Sequence, residues 1–201
     1  MADIGLRYAA FARIKEHEER QAIQYDKGRA VGMMISANVT VSRNSNKLYA
    51  DDVVAEEDNS ISGAEIDLGL DDLTLENEQL MTGIDKSGDS GSEMYEDTDM
   101  PAPYGGFGYV RVRSKTDQKT LKTKRSFIST WWYKVLARIE NEQAQTKGQN
   151  MEWRTPSLRL SAQGVYIDDS DKLKFRTRKE FATFDEAKAF IDKFANIDNE
   201  E

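Results

Sequence analysis

Cysteine is missing from the 201-residue chain, and proline and histidine are scarce, at three and one residues. Without cysteine there is no disulfide framework, no thiolate metal site and no cysteine nucleophile. The apolar runs are only a few residues long, and the residues after Met1 do not form a basic and then apolar leader. We therefore expect one globular domain, or a domain with arms, that has no membrane span and no cleaved signal.

Charge is distributed unevenly along the chain, although the formal net charge is only -8. Residues 1–50 hold 8 basic and 5 acidic side chains, residues 51–100 hold 1 and 17, and residues 101–201 hold 19 and 14. A surface that displays this acidic second quarter repels a phosphate backbone, because nucleic-acid affinity depends on Lys and Arg. Tight DNA binding through that surface is not expected.

Alternation of apolar and polar residues predicts several β-strands. The segments concerned are 33–43, 65–71, a hairpin of 107–114 with 125–137, and then 151–162 and 173–177. In segment 125–137 both faces carry large apolar groups, so both faces should be covered. The faces that these periods define predict a shared core of Met33, Ile35, Val39, Val41, Ile66, Leu68, Phe127, Trp131, Tyr133 and Val135.

Two helices are predicted from their ends. Thr74 can cap a short helix that Gly83 would end, and Thr183 with Glu186 forms a capping box ahead of a longer C-terminal helix. The strands come in runs and do not alternate with helices. The predicted fold class is therefore mainly β with some α: an antiparallel β-sandwich or barrel-like fold with a flanking short helix and a C-terminal helix.

Long polar segments suggest how the chain is organised. Residues 1–28 are predicted to be an N-terminal arm of uncertain conformation, residues 29–197 the β domain, and residues 198–201 a disordered tail. Within the domain, 44–60 is a long polar connection, and 85–100 is rich in Gly, Ser, Asp and Glu. Such a composition offers too little apolar surface to offset the entropy of ordering, so 85–100 is predicted to be a mobile acidic loop.

The sequence predicts no catalytic residue and no cofactor or metal site. His17 lies among charged residues and is interpreted as a solvated side chain, since a catalytic base needs burial and an orienting partner. The best metal-like spacing matches four positions of a calcium loop, at Asp85, Ser87, Asp89 and Glu96. Ser90 stands where that loop needs glycine, so calcium is kept only as the alternative interpretation.

Two further features have a structural and a binding interpretation. Gly105, Gly106 and Gly108 lead into a strand, whereas a phosphate-binding glycine loop leads into a helix, so they indicate a β-edge or a turn. The hairpin tip 115–125 is basic and could touch nucleic acid. We favour a solvated tip or a docking surface for an acidic partner, which the acidic quarter of the same chain supplies.

The order of several short motifs resembles the major tail tube proteins of long, non-contractile-tailed bacteriophages. Together the motifs cover most of residues 30–165. They are Gly32 to Ser36, Leu48-Tyr49-Ala50-Asp51-Asp52 with Val54-Ala55-Glu56, Ile66-Asp67-Leu68-Gly69-Leu70-Asp71-Asp72-Leu73, Pro101-Ala102-Pro103-Tyr104-Gly105-Gly106-Phe107-Gly108, Trp131-Trp132-Tyr133-Lys134-Val135, Thr146-Lys147-Gly148 and Thr155-Pro156-Ser157-Leu158.

The resemblance implies a virion protein without enzyme activity that forms stacked hexameric rings, a tube for DNA delivery into the host. Its implied partners are further copies of itself, the tape measure protein, the tail terminator and the distal tail proteins, with DNA passing transiently and without specific binding. It would be found in the phage tail, and in the host cytoplasm during assembly. The alternative is a small soluble hydrolase or a calcium-dependent binding module that uses the acidic loop 85–96.

The resemblance also implies that the arm 1–28 and the connection 44–60 bridge neighbouring subunits. Because both segments are long and polar yet carry apolar anchors, deleting residues 2–14 is expected to leave the β domain folded and to abolish tubes. The side chains expected at these contacts are Leu6, Tyr8, Phe11, Leu48, Tyr49, Val53, Val54 and Trp132. Part of the acidic quarter is expected to line the lumen, because a wall that does not hold phosphate lets DNA pass. The lumen candidates are Asp51, Asp52, Glu56, Glu57, Asp58, Glu65 and Asp67, with solubilisation of the outer wall as the alternative role.

Overall fold

The computed structural model describes residues 2–50, 53–87, 93–95, 99, 101–116, 123–141 and 155–198. The helices are α1 (Leu75–Thr82) and α2 (Phe184–Ala195). The strands are β1 (Ala2–Glu16), β2 (Gln24–Tyr25), β3 (Arg29–Gly32), β4 (Met34–Arg43), β5 (Asn46–Ala50), β6 (Val53–Asp58), β7 (Ile61–Leu70), β8 (Asp85–Ser87), β9 (Glu93–Tyr95), β10 (Tyr104–Thr116), β11 (Thr123–Asn141), β12 (Ser157–Gln163) and β13 (Arg176–Phe181). The fold is mainly β, and the predicted fold class is confirmed.

The main sheet is antiparallel and folds over along its longest strand. Its hydrogen-bonded path runs β2-β1-β10-β11-β12-β7-β4, with β3 also paired to β1 and β13 also paired to β11. One edge of β11 pairs with β10, while the other pairs with β13 over its first half and with β12 over its second half. The sheet therefore divides into a layer around β1, β10 and β13 and a second layer of β4, β7 and β12.

The main core lies between these two layers. Alternate residues of β7, namely Ile66, Leu68 and Leu70, are buried there, as the period of two predicts. They meet Phe11 and Trp132 from the facing layer. This arrangement matches a β-sandwich.

A second core lies on the opposite face of the first layer, under α2. Trp131 is buried there against Ile191 and Ala195. The predicted capping box is present, since Thr183 Oγ1 accepts a hydrogen bond from the Glu186 N–H at 3.4 Å. Both faces of β11 are therefore covered around Trp131 and Trp132, as predicted, whereas its second half is covered on one face only.

The short helix α1 closes one end of the main core. Thr74 Oγ1 accepts from the Asn77 N–H at 3.3 Å, and Gly83 ends the helix in the left-handed region at φ 86°. Met81 packs from α1 into the main core. Both predicted ends of this helix are confirmed.

Two irregularities in strand register overturn part of the predicted core. The register of β4 against β7 shifts between Met34 and Ser36. This bulge reverses which residues before Ser36 face the core. Met33 and Ile35 are therefore 73% and 55% exposed, and their assignment to the core is wrong. A second shift, between Gly105 and Phe107, divides the predicted face of β11. Val135 lies in the main core as predicted, whereas Phe127, Trp131 and Tyr133 lie in the second core.

The predicted N-terminal arm is wrong, because these residues form a strand inside the sheet. β1 pairs with β10 from Ala2 to Arg13, and its residues 9–12 are fully buried. Deleting residues 2–14 would therefore remove a central strand, and the β domain would not survive it. The sequence did not predict a strand here, because Ala and charged residues dominate the segment and its apolar and polar residues alternate only weakly.

Two predicted loops contain paired strands. The polar connection 44–60 was predicted to be a long loop, but it forms the hairpin of β5 and β6. Within 85–100, β8 pairs with β9, so the described part of that segment is not an irregular loop. The remaining residues of 85–100, apart from residue 99, and residues 199–201 lie outside the described residues.

The sequence suggested that the glycines before Phe107 lie at a β-edge or in a turn. They lie instead in a central strand. β10 is flanked by β1 and β11 on its two edges. A Cβ on Gly106 would overlap the Trp131 ring and would lie 2.7 Å from the Tyr25 ring. Glycine is required here because large aromatic rings lie flat on the backbone.

Changing Gly106 to Ala is expected to lower the free energy of unfolding by about 1 to 3 kcal/mol, because the added methyl group overpacks the second core. Chemical denaturation measures this loss. Gly5→Ala is the matched control, since a Cβ on Gly5 has no atom within 4 Å. Equal stability of the two variants would contradict the packing described for Trp131.

Candidate functional site: an open-edged polar layer and a projecting ribbon

The layer formed by β4, β7, β12 and the second half of β11 has one buried face and one exposed face. We call the exposed face the polar face. Cross-strand register assigns to it Ser36, Asn38, Thr40, Gly63, Glu65, Asp67, Gly69, Lys134, Leu136, Arg138, Ser157, Arg159, Ser161 and Gln163. Small polar residues dominate it, so the face is suited to contact water and not another core.

Charges on the polar face are close to balanced. Asp67 stands between Asn38 and Arg159 in register, and Arg159 Nε donates to its Oδ1 at 2.9 Å. Arg138 lies directly opposite Arg159 on the next strand. Glu65 has no cation partner among the described residues. Two of the predicted lumen residues, Glu65 and Asp67, thus share one face, but that face is not uniformly acidic as predicted.

The two arginines of the polar face were missed from the sequence. Arg159 and Arg138 were not singled out, because the position of Arg159 between Asp67 and Arg138 depends on the pairing of β12 with β7 and β11. Alternation within residues 157–163 could have assigned Arg159 to an outward face. It could not have supplied the strand order that pairs it with a carboxylate.

Strand β4 is an edge of the main sheet. It has ten residues, and among the described residues it pairs only with β7. Natural edge strands are usually short or carry Lys or Pro that block further pairing. The sequence of β4 has neither, and its only charged residue is Arg43 at the end. From Ser36 onwards the edge is therefore long and unprotected, and the bulge between Met34 and Ser36 interrupts only its start.

The backbone groups that reach this open edge can be identified by alternation. The Asn44 N–H bonds to the Ser60 carbonyl at 2.9 Å, on the β7 side. Successive residues of a strand direct their backbone groups to opposite edges, and the register shift near Arg43 adds its extra residue to β7 only. It follows that Ala37, Val39 and Val41 direct their N–H and C=O groups to the open edge.

The hairpin of β5 and β6 extends β4 and β7 beyond the sheet, and we call residues 44–60 the ribbon. The joint is held by Asn44 Nδ2, which donates to Ser60 Oγ at 2.8 Å, and by Arg43, which donates to the Asn59 carbonyl at 3.0 Å. Hydrogen bonds from Ser60 also lower the pKa of the Asp58 carboxyl. The six residue steps from Asn44 to Ala50, at about 3.3 Å each, give the ribbon a length of about 20 Å.

The structure separates the predicted contact residues into three groups. Phe11 and Trp132 are fully buried in the chain's own main core, so their assignment to inter-subunit contacts is wrong. Leu6 packs partly on the same core. The remaining predicted contacts on the ribbon are Leu48, Tyr49, Val53 and Val54, whose side chains lie outside the described residues.

Tyr8 links β1 to α2 and does not point free from the domain. Its hydroxyl donates to the buried carboxylate of Asp192, which also accepts from Lys188 Nζ at 2.7 Å. Burial, followed by the hydrogen bond to Asp192, raises the pKa of Tyr8. Tyr8 also lines a groove of about 740 Å³ together with Met33 and Phe184.

The acidic lumen candidates do not form a single described cluster. Glu56, Glu57 and Asp58 are exposed on β6, within the ribbon, whereas Glu65 and Asp67 lie on the polar face. Asp51 and Asp52 lie outside the described residues. The polar face and the ribbon are therefore two different surfaces.

Residues that could support catalysis or metal binding are few in the described part of the chain. His17 was predicted to be solvated, but its side chain is half-buried. Its Nδ1 atom is enclosed and has no hydrogen-bond partner among the described residues. No group of three or more His, Asp or Glu side chains among the described residues could hold a metal ion. Asp89 and Glu96 of the calcium-like spacing fall outside them.

Two comparisons with known proteins were without a match. The sequence matches no protein-family model and no curated protein. Among the described helices, neither α1 nor α2 is long and apolar enough to cross a membrane. The features of the molecule that bear on function are therefore the open edge of β4, the polar face and the ribbon.

Proposed function

We propose that this chain is a structural virion protein that polymerises as stacked six-membered rings into a phage tail tube. The observation that carries the proposal is the long, unprotected edge of β4 on a layer whose outer face is polar. A soluble chain with such an edge tends to pair with another chain. Another copy of the same layer is the partner that is always present.

The two ends of the layer favour rings over two-fold dimers. One end is the edge of β4, and the other is residues 137–141 of β11, which extend past the register with β10. Pairing β4 of one copy with this part of β11 in the next is a head-to-tail contact. Such contacts generate closed rings when the rotation closes and helical filaments when it does not.

The polar face is the surface that such a ring would turn towards a water-filled channel. The other face of the layer is already covered by the chain's own core. In a closed sheet the layers of all copies join, so one continuous polar wall results. This orientation leaves α2 and the first layer on the outside of the ring.

The composition of the polar face suits passage of DNA without specific binding. Phosphate is held by unpaired Lys and Arg, each of which adds a counterion-release term to affinity. On this face Arg159 is occupied by Asp67, and the carboxylate of Glu65 is set against the cations of Lys134 and Arg138. The proposed wall is thus near neutral, which refines the acidic lumen expected from sequence.

The ribbon is the proposed link between neighbouring copies. A two-stranded hairpin is marginally stable alone in water, so a projecting one gains stability from a partner surface. Other proposed partners are the tape measure protein inside the tube and the tail terminator and distal tail proteins at its ends. Assembly would take place in the host cytoplasm and yield the phage tail.

The proposal is tested by the size of the purified full-length protein in solution. We expect rings or tubes by negative-stain electron microscopy and a sedimentation coefficient that rises with protein concentration. A hydrolase or calcium-dependent module would instead remain a monomer or dimer, with or without added calcium. A monomer at every concentration and salt condition would contradict the proposal.

A further inference from the structure

Cationic side chains are concentrated at one end of the first layer, the end nearest the β10–β11 hairpin. We call this surface the basic strip. Register places its members on the face that also carries the main core, and they are Arg111, Arg113 and Lys115 of β10, Lys124 of β11, and Arg176 and Arg178 of β13. Only Lys115 and Lys124 belong to the hairpin tip that the sequence singled out. The strip therefore extends that basic surface onto a third strand.

The basic strip has six cations, and among the described residues its face carries two carboxylates, Asp3 and Glu180. Asp3 accepts from Arg111 at 3.0 Å and from Arg113 at 3.1 Å. Among the described residues, Arg176 and Arg178 have no carboxylate partner. Arg176 lies over the Trp132 ring, 4.7 Å from its centroid.

Mutual repulsion accompanies this excess of positive charge. Burial is the first cause that lowers the pKa of Arg176, and the neighbouring charge of Arg178 is the second. An incoming anion would offset both effects, because an opposite charge nearby favours the charged form of the guanidinium. Arginine forks bind carboxylates with paired hydrogen bonds, so a carboxylate is a fitting partner.

Unpartnered polar atoms lie beside the same arginines. Thr130 is directly opposite Arg178 in register, and Trp132 is directly opposite Arg176. The Thr130 Oγ1, the Trp132 Nε1 and the Arg111 Nε are all enclosed and have no hydrogen-bond partner among the described residues. These atoms are enclosed beneath the strip, so an external partner does not reach them, and a buried water is the partner that would satisfy them.

The ribbon carries the opposite charge. Residues 46–58 include five carboxylates and one lysine. Glu56 and Glu57 are exposed on β6 and have no cation partner among the described residues. No ion pair within the described part of the chain joins the ribbon to the basic strip.

We propose that the basic strip of one copy binds the acidic ribbon of a second copy, with Arg176 and Arg178 holding Glu56 and Glu57. The proposal rests on the proposed self-assembly and identifies the surface that receives the ribbon. Charge complementarity selects this occupant, because the ribbon projects from its own domain and is acidic. Pairing also supplies the support that an isolated hairpin needs.

A charge exchange in the full-length protein tests the pairing. Arg176→Glu with Arg178→Glu, and separately Glu56→Lys with Glu57→Lys, are each expected to raise the protein concentration needed for assembly at least about tenfold, since like charges then face each other across the contact. One chain carrying all four changes should assemble at nearly the wild-type concentration. Sedimentation and negative-stain microscopy provide both readouts.

Two controls separate charge effects from misfolding. Lys179→Glu makes the same charge change on β13 but on the opposite face, where Lys179 lies over Phe181 and Phe190, so assembly should be unchanged. Arg178→Glu alone changes the exposed member of the pair and should leave the thermal midpoint unchanged while still weakening assembly.

The outcomes distinguish this inference from the proposed function. Normal assembly of both charge-reversed variants would overturn the pairing but leave self-assembly intact. Loss of assembly without rescue in the four-fold variant would overturn the ribbon as the occupant. The wild type could also bind duplex DNA, and the variant with Arg176→Glu and Arg178→Glu could lose that binding but still assemble. That result would show that the basic strip binds phosphate and not the ribbon. A wild-type chain that never assembles would contradict both proposals.

Discussion

Replacing Trp131 by Ala is expected to lower the free energy of unfolding by about 3 to 5 kcal/mol, which is a large part of the stability of a typical domain. The side chain is fully buried between the sheet and α2. Its ring stacks on Phe194 with centroids 5.6 Å apart and meets the edge of Tyr25 at 5.4 Å. Removing it takes away the contact that joins α2 to the sheet.

The loss should be at the upper end of this range because the site cannot collapse. Gly106 and Gly108 lie directly under the ring and have no side chains that could fill the space. Denaturant-induced unfolding measures the effect, and loss of helical signal before the sheet unfolds would locate it at α2. Leu173→Ala is the control, since Leu173 is 57% exposed. An unchanged midpoint for Trp131→Ala would show that α2 does not pack as described.

Replacing Val39 by Pro is expected to abolish assembly while leaving the monomer folded. Val39 directs its backbone N–H to the open edge of β4, by the alternation set at Asn44. Proline removes that donor and places its ring against an approaching strand, and edge strands tolerate proline where the N–H faces solvent. Sedimentation should report monomers at concentrations where the wild type forms rings.

Val39→Ala is the matched control for this experiment. It removes more of the side chain that packs on the main core but retains the N–H. We expect it to assemble with a somewhat lower thermal midpoint, since a truncated core side chain costs roughly 1 to 3 kcal/mol. Assembly by Val39→Pro would contradict edge pairing through β4. Failure of both variants to assemble would indicate that side-chain packing is what matters at this position.

Local signals in the sequence were sufficient for the helices and for several strands. Thr74 with Gly83, and Thr183 with Glu186, marked helix ends through hydrogen bonds made within a few residues. The alternation of Ile66, Leu68 and Leu70 identified the buried face of β7 without knowledge of its neighbours. These features depend on contacts inside one element, so the sequence predicts them well.

Bulges explain the failures in the predicted core. Met33 and Ile35 continue the apolar alternation of β4, yet the register shift at Met34 turns them to solvent. A bulge depends on how one strand fits its partner, and a single strand contains no record of it. The same reason applies to β11, where the shift near Gly105 leaves Phe127, Trp131 and Tyr133 in the second core and not in the main core with Val135.

The sequence by itself determined the fold class, the helix ends, the polarity of the ribbon and the excess of carboxylates in its second quarter. Tertiary structure alone decided that β1 is a central strand, that Trp132 is internal, and that the arginines of β10 and β13 share one surface. The physical reason is the range of the interactions. Caps and alternation act over a few residues, whereas strand order and cross-strand charge pairs join residues that are distant in sequence and depend on the whole sheet.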